Sequence, residues 1–456
     1  MSAAHAKKEY TAWWSTKIAG GQQLGVADSS GARVRCQGPA CVKDLLCGCG
    51  SSASMLSLLP ALHLAFGSAY TPSLPSWTQA VLPGCAQGEE CGRLALANGL
   101  TFNCRFAGPA ASVTNVLLLH GFPEFASIYS GLMAQMASKG WRSLACNQRG
   151  YSEGASPATV DAYSYYHLAD DAYAMAEAAG FTHDGGKFHL IGHDHGGFLS
   201  WFMAQPTVYG NHLHSLTSLS SPHPMPFSEA LFGANADEEQ VVASQYLTMF
   251  CLDDSASLHN DFWYLALGAT AGSDLGFAFG DATTFQLALF WYTTVFLLDG
   301  IVAMPPVLSA EQILAVDPAA ESVAALRGLF GTSVPWPSQG FAATDTVGNI
   351  SVPTLFVCGT ADTALLCTRP YALESADYVV DASYTYKQER NCLRVRCDQY
   401  SYVRSLAFTV IRQLITTHTS AHQHAHVNSS ALSRLLDVGC RLRSRLALVR
   451  RQHDAR

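Results

Sequence analysis

The chain has 456 residues, 49% of them hydrophobic and 14% charged, with a formal net charge of −8. That is enough apolar material to bury a large core, as one large domain with an insertion or as two domains. The mild negative charge gives no footing for a nucleic-acid partner.

Residues 1–92 are rich in Gly, Ser, Ala and Cys and hold no sustained period, so they read as a leader and linker. Within them Met55–Ala69, MLSLLPALHLAFGSA, resembles a signal-peptide core ending in a small-x-small pattern. Two accounts fit: a true start near Met55, or an interior apolar helix. The run is too short for a membrane span, and Pro60 argues against one. There are 14 cysteines and no C-x-x-C pair, so zinc of the usual spacing is not expected. Cys85 and Cys91 bracket a polar loop, and Cys358, Cys367, Cys392 and Cys397 fall in one region. Pairing among them would suit an oxidising compartment. Sequons at Asn349-Ile350-Ser351 and Asn428-Ser429-Ser430 permit the same reading, and we favour the secretory pathway over the cytoplasm.

From about residue 95 the pattern changes. GLTFNCRFAG reads as a strand, and VTNVLLLHGF as a strand buried on both faces. FASIYSGLMAQMASKG has helical apolar spacing and a Gly stop. WRSLACNQRGYS reads as a strand, and YSYYHLADDAYAMAEAAG as a helix closed by Gly180. KFHLIGHD then predicts a strand, GGFLSWFMAQ a helix and LHSLTSLSS another strand. This alternation implies a mostly parallel, doubly wound sheet. It stops at Pro222-His223-Pro224 and returns at ISVPTLFVCGTAD, with a helical, aromatic stretch between. The expected division is a core over 93–223 and 346–417, a helical cap over 224–345, and a His- and Arg-rich tail over 418–456. In that tail Arg434, Arg441, Arg443, Arg445, Arg450 and Arg451 alternate with apolar residues. It reads as a basic amphipathic helix for weak contact with a membrane or partner, or more plainly as a solvated, frayed helix. The histidines of HTSAHQHAH could bind metal, but a His-rich disordered tail is the plainer reading.

The motifs HGFPE (His120–Glu124), NQRGYS (Asn147–Ser152), GHDHGG (Gly192–Gly197), SPHP (Ser221–Pro224) and VPTLFVCGTADTAL (Val352–Leu365) occur in the order of the α/β-hydrolase superfamily. The chain resembles its epoxide hydrolase branch, with haloalkane dehalogenases as relatives, over about residues 95–380. The expected fold is an α/β-hydrolase core with an inserted helical cap.

The chemistry follows from one substitution in a familiar pattern. Gly192-His193-Asp194-His195-Gly196 puts a carboxylate where many hydrolases carry serine. A carboxylate is already ionised at neutral pH, with an ordinary pKa of roughly 3.9. It suits attack on a saturated carbon bearing a leaving group, giving an alkyl ester. A strand-to-helix elbow would expose Asp194, whereas the bland alternative is a helix N-cap. Hydrolysing the ester needs an oxyanion hole, expected from the backbone N–H groups of Phe122 and His195, with His120, Gly121 and Pro123 shaping the first loop. The resemblance implies the same pair. It also implies that Asp362 is the orienting acid, and that two cap tyrosines, matched best by Tyr246 and Tyr292, protonate the departing oxygen. No metal or organic cofactor is expected, and the partner is a small apolar electrophile. A dehalogenase would carry a tryptophan directly after the nucleophile, where this chain has His195.

One part of the pattern is missing. The family's base histidine should follow the last strand, yet no histidine occurs between His259 and His418. Three readings follow. Another histidine, such as His195 or His223 near the pocket mouth or His418, has taken the role. Alternatively, the segment from Glu389 onward is not the native one. In the third, the protein is a degraded hydrolase that binds or captures a ligand without turnover.

Overall fold

The computed structural model describes residues 26–27, 33–34, 76–234, 236–251, 282–321, 323–324, 327, 346–360, 362 and 364–389. The expected signal-like stretch, the His-rich run and the basic tail lie outside them, as does the sequon at Asn428.

The core is a nine-stranded sheet. In chain order its strands are β1 Ser76–Gln79, β2 Glu89–Ala95, β3 Thr101–Ala107, β4 Asn115–Leu119, β5 Arg142–Cys146, β6 Phe188–His193, β7 Leu213–Leu219, β8 Thr354–Gly359 and β9 Tyr384–Glu389. Their spatial order is β9-β8-β7-β6-β4-β5-β3-β2-β1. The first three strands and β5 pair antiparallel, and the remaining neighbours are parallel. The fold is therefore that of an α/β hydrolase, with a mostly parallel sheet.

The apolar run of β4 explains the layering. Successive strand side chains point to opposite faces. Val116 and Leu118 pack with Met133 and Met136 of helix α1 (Ser130–Ala137). Leu117 and Leu119 pack with Leu168 and Met175 of α2 (Tyr165–Ala178) and Leu199 of α3 (His195–Met203). Both faces are covered, which is why β4 needs no polar alternation. Each such side chain contributes about 1.5–3 kcal/mol on burial. In α2 the buried positions 165, 168, 169, 172, 175 and 176 form one helical stripe. The Ser164 side chain caps its start by accepting from the His167 N–H, and Gly180 ends it at φ +77°.

Three boundaries differ from the expectations. The sheet begins at Ser76, not at 93: residues 76–79 and 89–92, assigned above to a linker, lie in the antiparallel edge. β1 is an edge strand with one open side, and the start of β2 beside it is polar and Gly-containing, so neither carried a strand signal. The strand expected over Trp141–Ser152 stops at Cys146. The ninth strand, Tyr384–Glu389, had no apolar run to announce it.

After β7 the chain leaves the sheet at Pro224 and rejoins it at Ile350. The described helices in between are α4 (Pro224–Phe232), α5 (Glu238–Ala243), α6 (Gln245–Phe250), α7 (Ala282–Thr293) and α8 (Ala310–Val316). The stretch rests on the sheet partly through Trp291, whose Nε1–H donates to the Arg149 carbonyl at 2.9 Å.

Arg149 itself explains the arginine of NQRGYS. It forms a buried two-pronged pair with Asp171, at 2.7 Å and 2.8 Å. Removing one member strands the other charge inside the protein. Arg149→Ala is expected to lower stability by about 3–5 kcal/mol, read as a drop in the urea midpoint at unchanged slope.

Candidate active site

The sheet reverses its winding at β4, with β5 on one side and β6 on the other. Loops diverge there at the carboxyl ends of the strands and leave a crevice. The motifs named above line up at that end, on the loops after β4, β5, β6, β7 and β8.

Asp194 sits between β6 and α3, at φ 53° and ψ −123°. A non-glycine residue in that region costs about 1–3 kcal/mol and must be held. Its N–H donates to the Leu219 carbonyl at 3.2 Å, and the Ser221 hydroxyl donates to its carbonyl at 2.6 Å. The turn closes because Gly192 has no side chain: a Cβ there would strike the Gly196 carbonyl and the Ser200 hydroxyl. The Asp194 side chain makes no helix-capping bond. Its Oδ1 accepts from the Phe122 N–H at 2.9 Å, and the His195 N–H also holds it. Gly121 lies against it so closely that a Cβ would meet Asp194 Cβ and Oδ1. The expected pair of donors, Phe122 and His195, thus converges on one carboxylate.

The loop carrying Phe122 is held from behind. The Gln148 N–H donates to His120 Nε2 at 3.0 Å, so the ring proton is on Nδ1, facing the Gly121 carbonyl at 2.8 Å. Burial lowers the His120 pKa to about 4, so it stays neutral. The Phe122–Pro123 peptide is cis.

The other residues around Asp194 form an aromatic wall. The Tyr292 ring lies 4.1 Å from His195, 5.3 Å from Phe122 and 4.8 Å from Phe250, centroid to centroid. Tyr246 stands 6.4 Å from Tyr292. Neither phenol has a hydrogen-bond partner among the described residues, and neither oxygen is sealed off. Burial, with the Asp194 charge behind it, raises both far above the ordinary tyrosine value, so both stay protonated. His195 is buried, with Nδ1 3.2 Å from the Tyr165 hydroxyl, and burial lowers its pKa to about 3.

Asp362 follows β8. Its Oδ1 accepts from the N–H groups of Ala364 and Leu365 at 2.9 Å and 3.0 Å, and the Ser220 hydroxyl also bonds to it. Burial raises its pKa. Among the described residues no histidine bonds to it directly. His223, expected near the pocket mouth, caps the start of α4: its Nδ1 accepts from the Met225 N–H, and its ring stacks on Tyr378 at 4.0 Å.

Sequence reasoning missed one pair. His193 Nδ1 lies 2.8 Å from Glu124 Oε2, which also accepts the Gly121 N–H at 2.9 Å. Burial opposes charge on His193, but Glu124 outweighs it and brings the pKa to about 9. His193 is therefore a cation at neutral pH, beside Glu124 and within the fields of Asp194 and Asp362. Both residues were visible inside quoted motifs, yet only the fold brings the loops after β4 and β6 together.

Burial raises the Asp194 pKa to about 6, with His193 and the two backbone donors pulling it back. A nucleophilic carboxylate must be ionised. Reaction with a neutral electrophile is thus expected to fall as pH drops through about 6, well above the ordinary carboxylate range. Adduct formation measured from pH 4 to 8 checks this; a midpoint at or below 4 contradicts it.

Residues 114–241 match the family model described as the alpha/beta hydrolase fold. Epoxide hydrolase 4 of Mus musculus is 30% identical over 183 residues, covering 40% of this chain and 49% of that protein. The AB hydrolase superfamily protein YfhM of Bacillus subtilis (strain 168) is 32% identical over 180 residues, covering 38% and 58%. The chain thus spans about half the length of the curated relatives it matches. A solved structure titled as novel epoxide hydrolases of the alpha/beta hydrolase superfamily, from metagenomes of hot environments, aligns with a TM-score of 0.48 at 20% identity. It covers 74% of this chain and 99% of that one. The protein has the α/β-hydrolase fold, and its sequence resembles the epoxide hydrolases among proteins of that fold.

Proposed function

We propose that the protein opens an epoxide, or a similar small apolar electrophile, through an alkyl ester on Asp194. The observation that carries this is the setting of the Asp194 carboxylate. It is held by the Phe122 and His195 N–H groups at an elbow, near two tyrosines whose phenols have no hydrogen-bond partner among the described residues. One carboxylate oxygen attacks a ring carbon. The C–O bond breaks, and its electron pair goes to the ring oxygen, which takes a proton from Tyr246 or Tyr292. The resulting ester carbonyl already lies against the two backbone donors, which would act as the oxyanion hole when water attacks it. The helical insertion acts as the cap that supplies the phenols. Dehalogenation is less well served, because the Trp291 indole N–H is committed to the Arg149 carbonyl.

A second reading is favoured by a specific observation: the bonds of Asp362 go to Ala364, Leu365 and Ser220, with no histidine on it among the described residues. In that reading the ester forms and persists. Incubation with a reactive aryl epoxide, followed by intact-protein and peptide mass spectrometry, separates the two. Diol released over many turnovers supports the hydrolase, and a stoichiometric, lasting adduct on Asp194 supports capture. No adduct and no diol from folded protein would refute both.

A further inference from the structure

We propose that Asn349 carries an N-linked glycan, and that the chain matures in a compartment where such glycans and disulfides are both made. The sequon Asn349-Ile350-Ser351 lies on the return from the helical insertion to β8, in extended backbone. Extended chain alternates its side chains, so residues i and i+2 share a face. Here Ile350 is fully buried, while Asn349 and Ser351 are both exposed. Ile350 is pinned on both sides of its backbone: its N–H donates to the Tyr378 carbonyl at 2.9 Å, and its carbonyl accepts from the Val380 N–H at 2.9 Å. Just before it, the Gly348 N–H donates to Gln205 Oε1 at 2.8 Å. The acceptor amide and the hydroxyl two residues on are therefore presented together to solvent by a fixed backbone. Neither side chain has a partner among the described residues.

The second line of support comes from the cysteines. Cys85–Cys91, Cys104–Cys146 and Cys358–Cys367 are disulfide-bonded, and the remaining described cysteine, Cys251, is buried. Disulfides of this number persist in oxidising compartments, the same ones in which N-glycans are added. This sequon is neither buried nor, among the described residues, hydrogen-bonded through either side chain.

The donor is a lipid-linked oligosaccharide pyrophosphate. The Asn349 carboxamide nitrogen forms a bond to C1 of the sugar and loses one proton. The C1–O bond breaks, and the lipid pyrophosphate leaves with the electron pair. The glycan would stand near the amino end of β8, whereas Asp362 and the Asp194 crevice are at its carboxyl end. The sugar is therefore not expected to touch bound substrate.

The test is to express the full chain behind a cleavable secretion signal in a eukaryotic host. Secreted and detergent-extracted endoplasmic-reticulum material are both analysed by digestion with peptide-N-glycosidase, the amidase that releases the glycan and leaves Asp, in heavy-oxygen water, followed by peptide mass spectrometry. The expected result is heavy-oxygen Asp at position 349 after digestion. Asn349→Gln and Ser351→Ala abolish that signal, Ser351→Thr retains it, and Asn428→Gln leaves it unchanged. Reaction of Asn349→Gln with an epoxide should stay within about twofold of the parent. Recovery of the Asn349 peptide only in unmodified form, from either fraction, overturns the proposal. So does a signal that survives Ser351→Ala.

Discussion

Asp194→Ala is expected to abolish reaction with epoxides, lowering the rate of adduct or diol formation on the order of 10⁴-fold or more. The size of the effect follows from the role. A hydrogen-bonding or positioning group is partly replaced by water, whereas a nucleophile that forms the intermediate is not. The fold should survive the change. The Asp194 carboxylate makes no capping bond to α3, and the turn is held through its backbone by Leu219 and Ser221. Relief of a half-buried carboxylate, whose pKa is raised to about 6 by burial, could even stabilise the protein slightly. The measurement is single-turnover mass spectrometry against a thermal melt of the same sample. Wild-type reactivity in a folded Asp194→Ala protein would remove the central role of this residue.

The second large effect is expected from Tyr246→Phe combined with Tyr292→Phe. The double change removes both proposed proton donors and should slow epoxide opening by about 10²- to 10⁴-fold. The contrast with a second electrophile makes the test specific. An alkyl sulfonate leaves as a stable anion and needs no proton, so its reaction with Asp194 should stay within about tenfold of the parent. Equal losses with both electrophiles would mean that the rings only shape the wall. That outcome is physically distinct, because the rings pack on Phe250, Phe122 and His195 whether or not they carry hydroxyls.

The two changes address different atoms of one reaction, and His193 connects them to pH. Its imidazolium is the cation near three carboxylates, Glu124, Asp194 and Asp362. Loss of that charge removes one of the influences that keep Asp194 ionised. His193→Gln should therefore move the acid limb of the reaction upward, by about one unit. The sign is decisive: a downward move would show that His193 does not act on Asp194 as a cation.

Much of the core was readable because its signals are local. The continuous apolar run of β4, the helical stripe of α2 closed by Gly180, and the Gly-flanked Asp194 each depend on neighbours within a turn or a strand. The same local character explains the failures. β1 is the solvent-facing edge strand and β2 is paired beside it, so pairing, not apolar content, makes these strands, and β9 at the other edge likewise lacks an apolar run. The chain order of the motifs also singled out Asp362, Tyr246 and Tyr292 as candidates, but gave no distances among them.

What the sequence by itself determined is the kind of groups present: a carboxylate at the elbow, phenols in the insertion, and no histidine from 260 to 417. Only the tertiary structure decided which of them meet. Phe122 reaches Asp194 across 72 residues, and Glu124 reaches His193 across 69, because parallel strands bring their carboxyl ends side by side. The same packing stacked His223 on Tyr378 and left Asn349 facing water. Such contacts depend on strand order and burial, which no local pattern along the chain encodes.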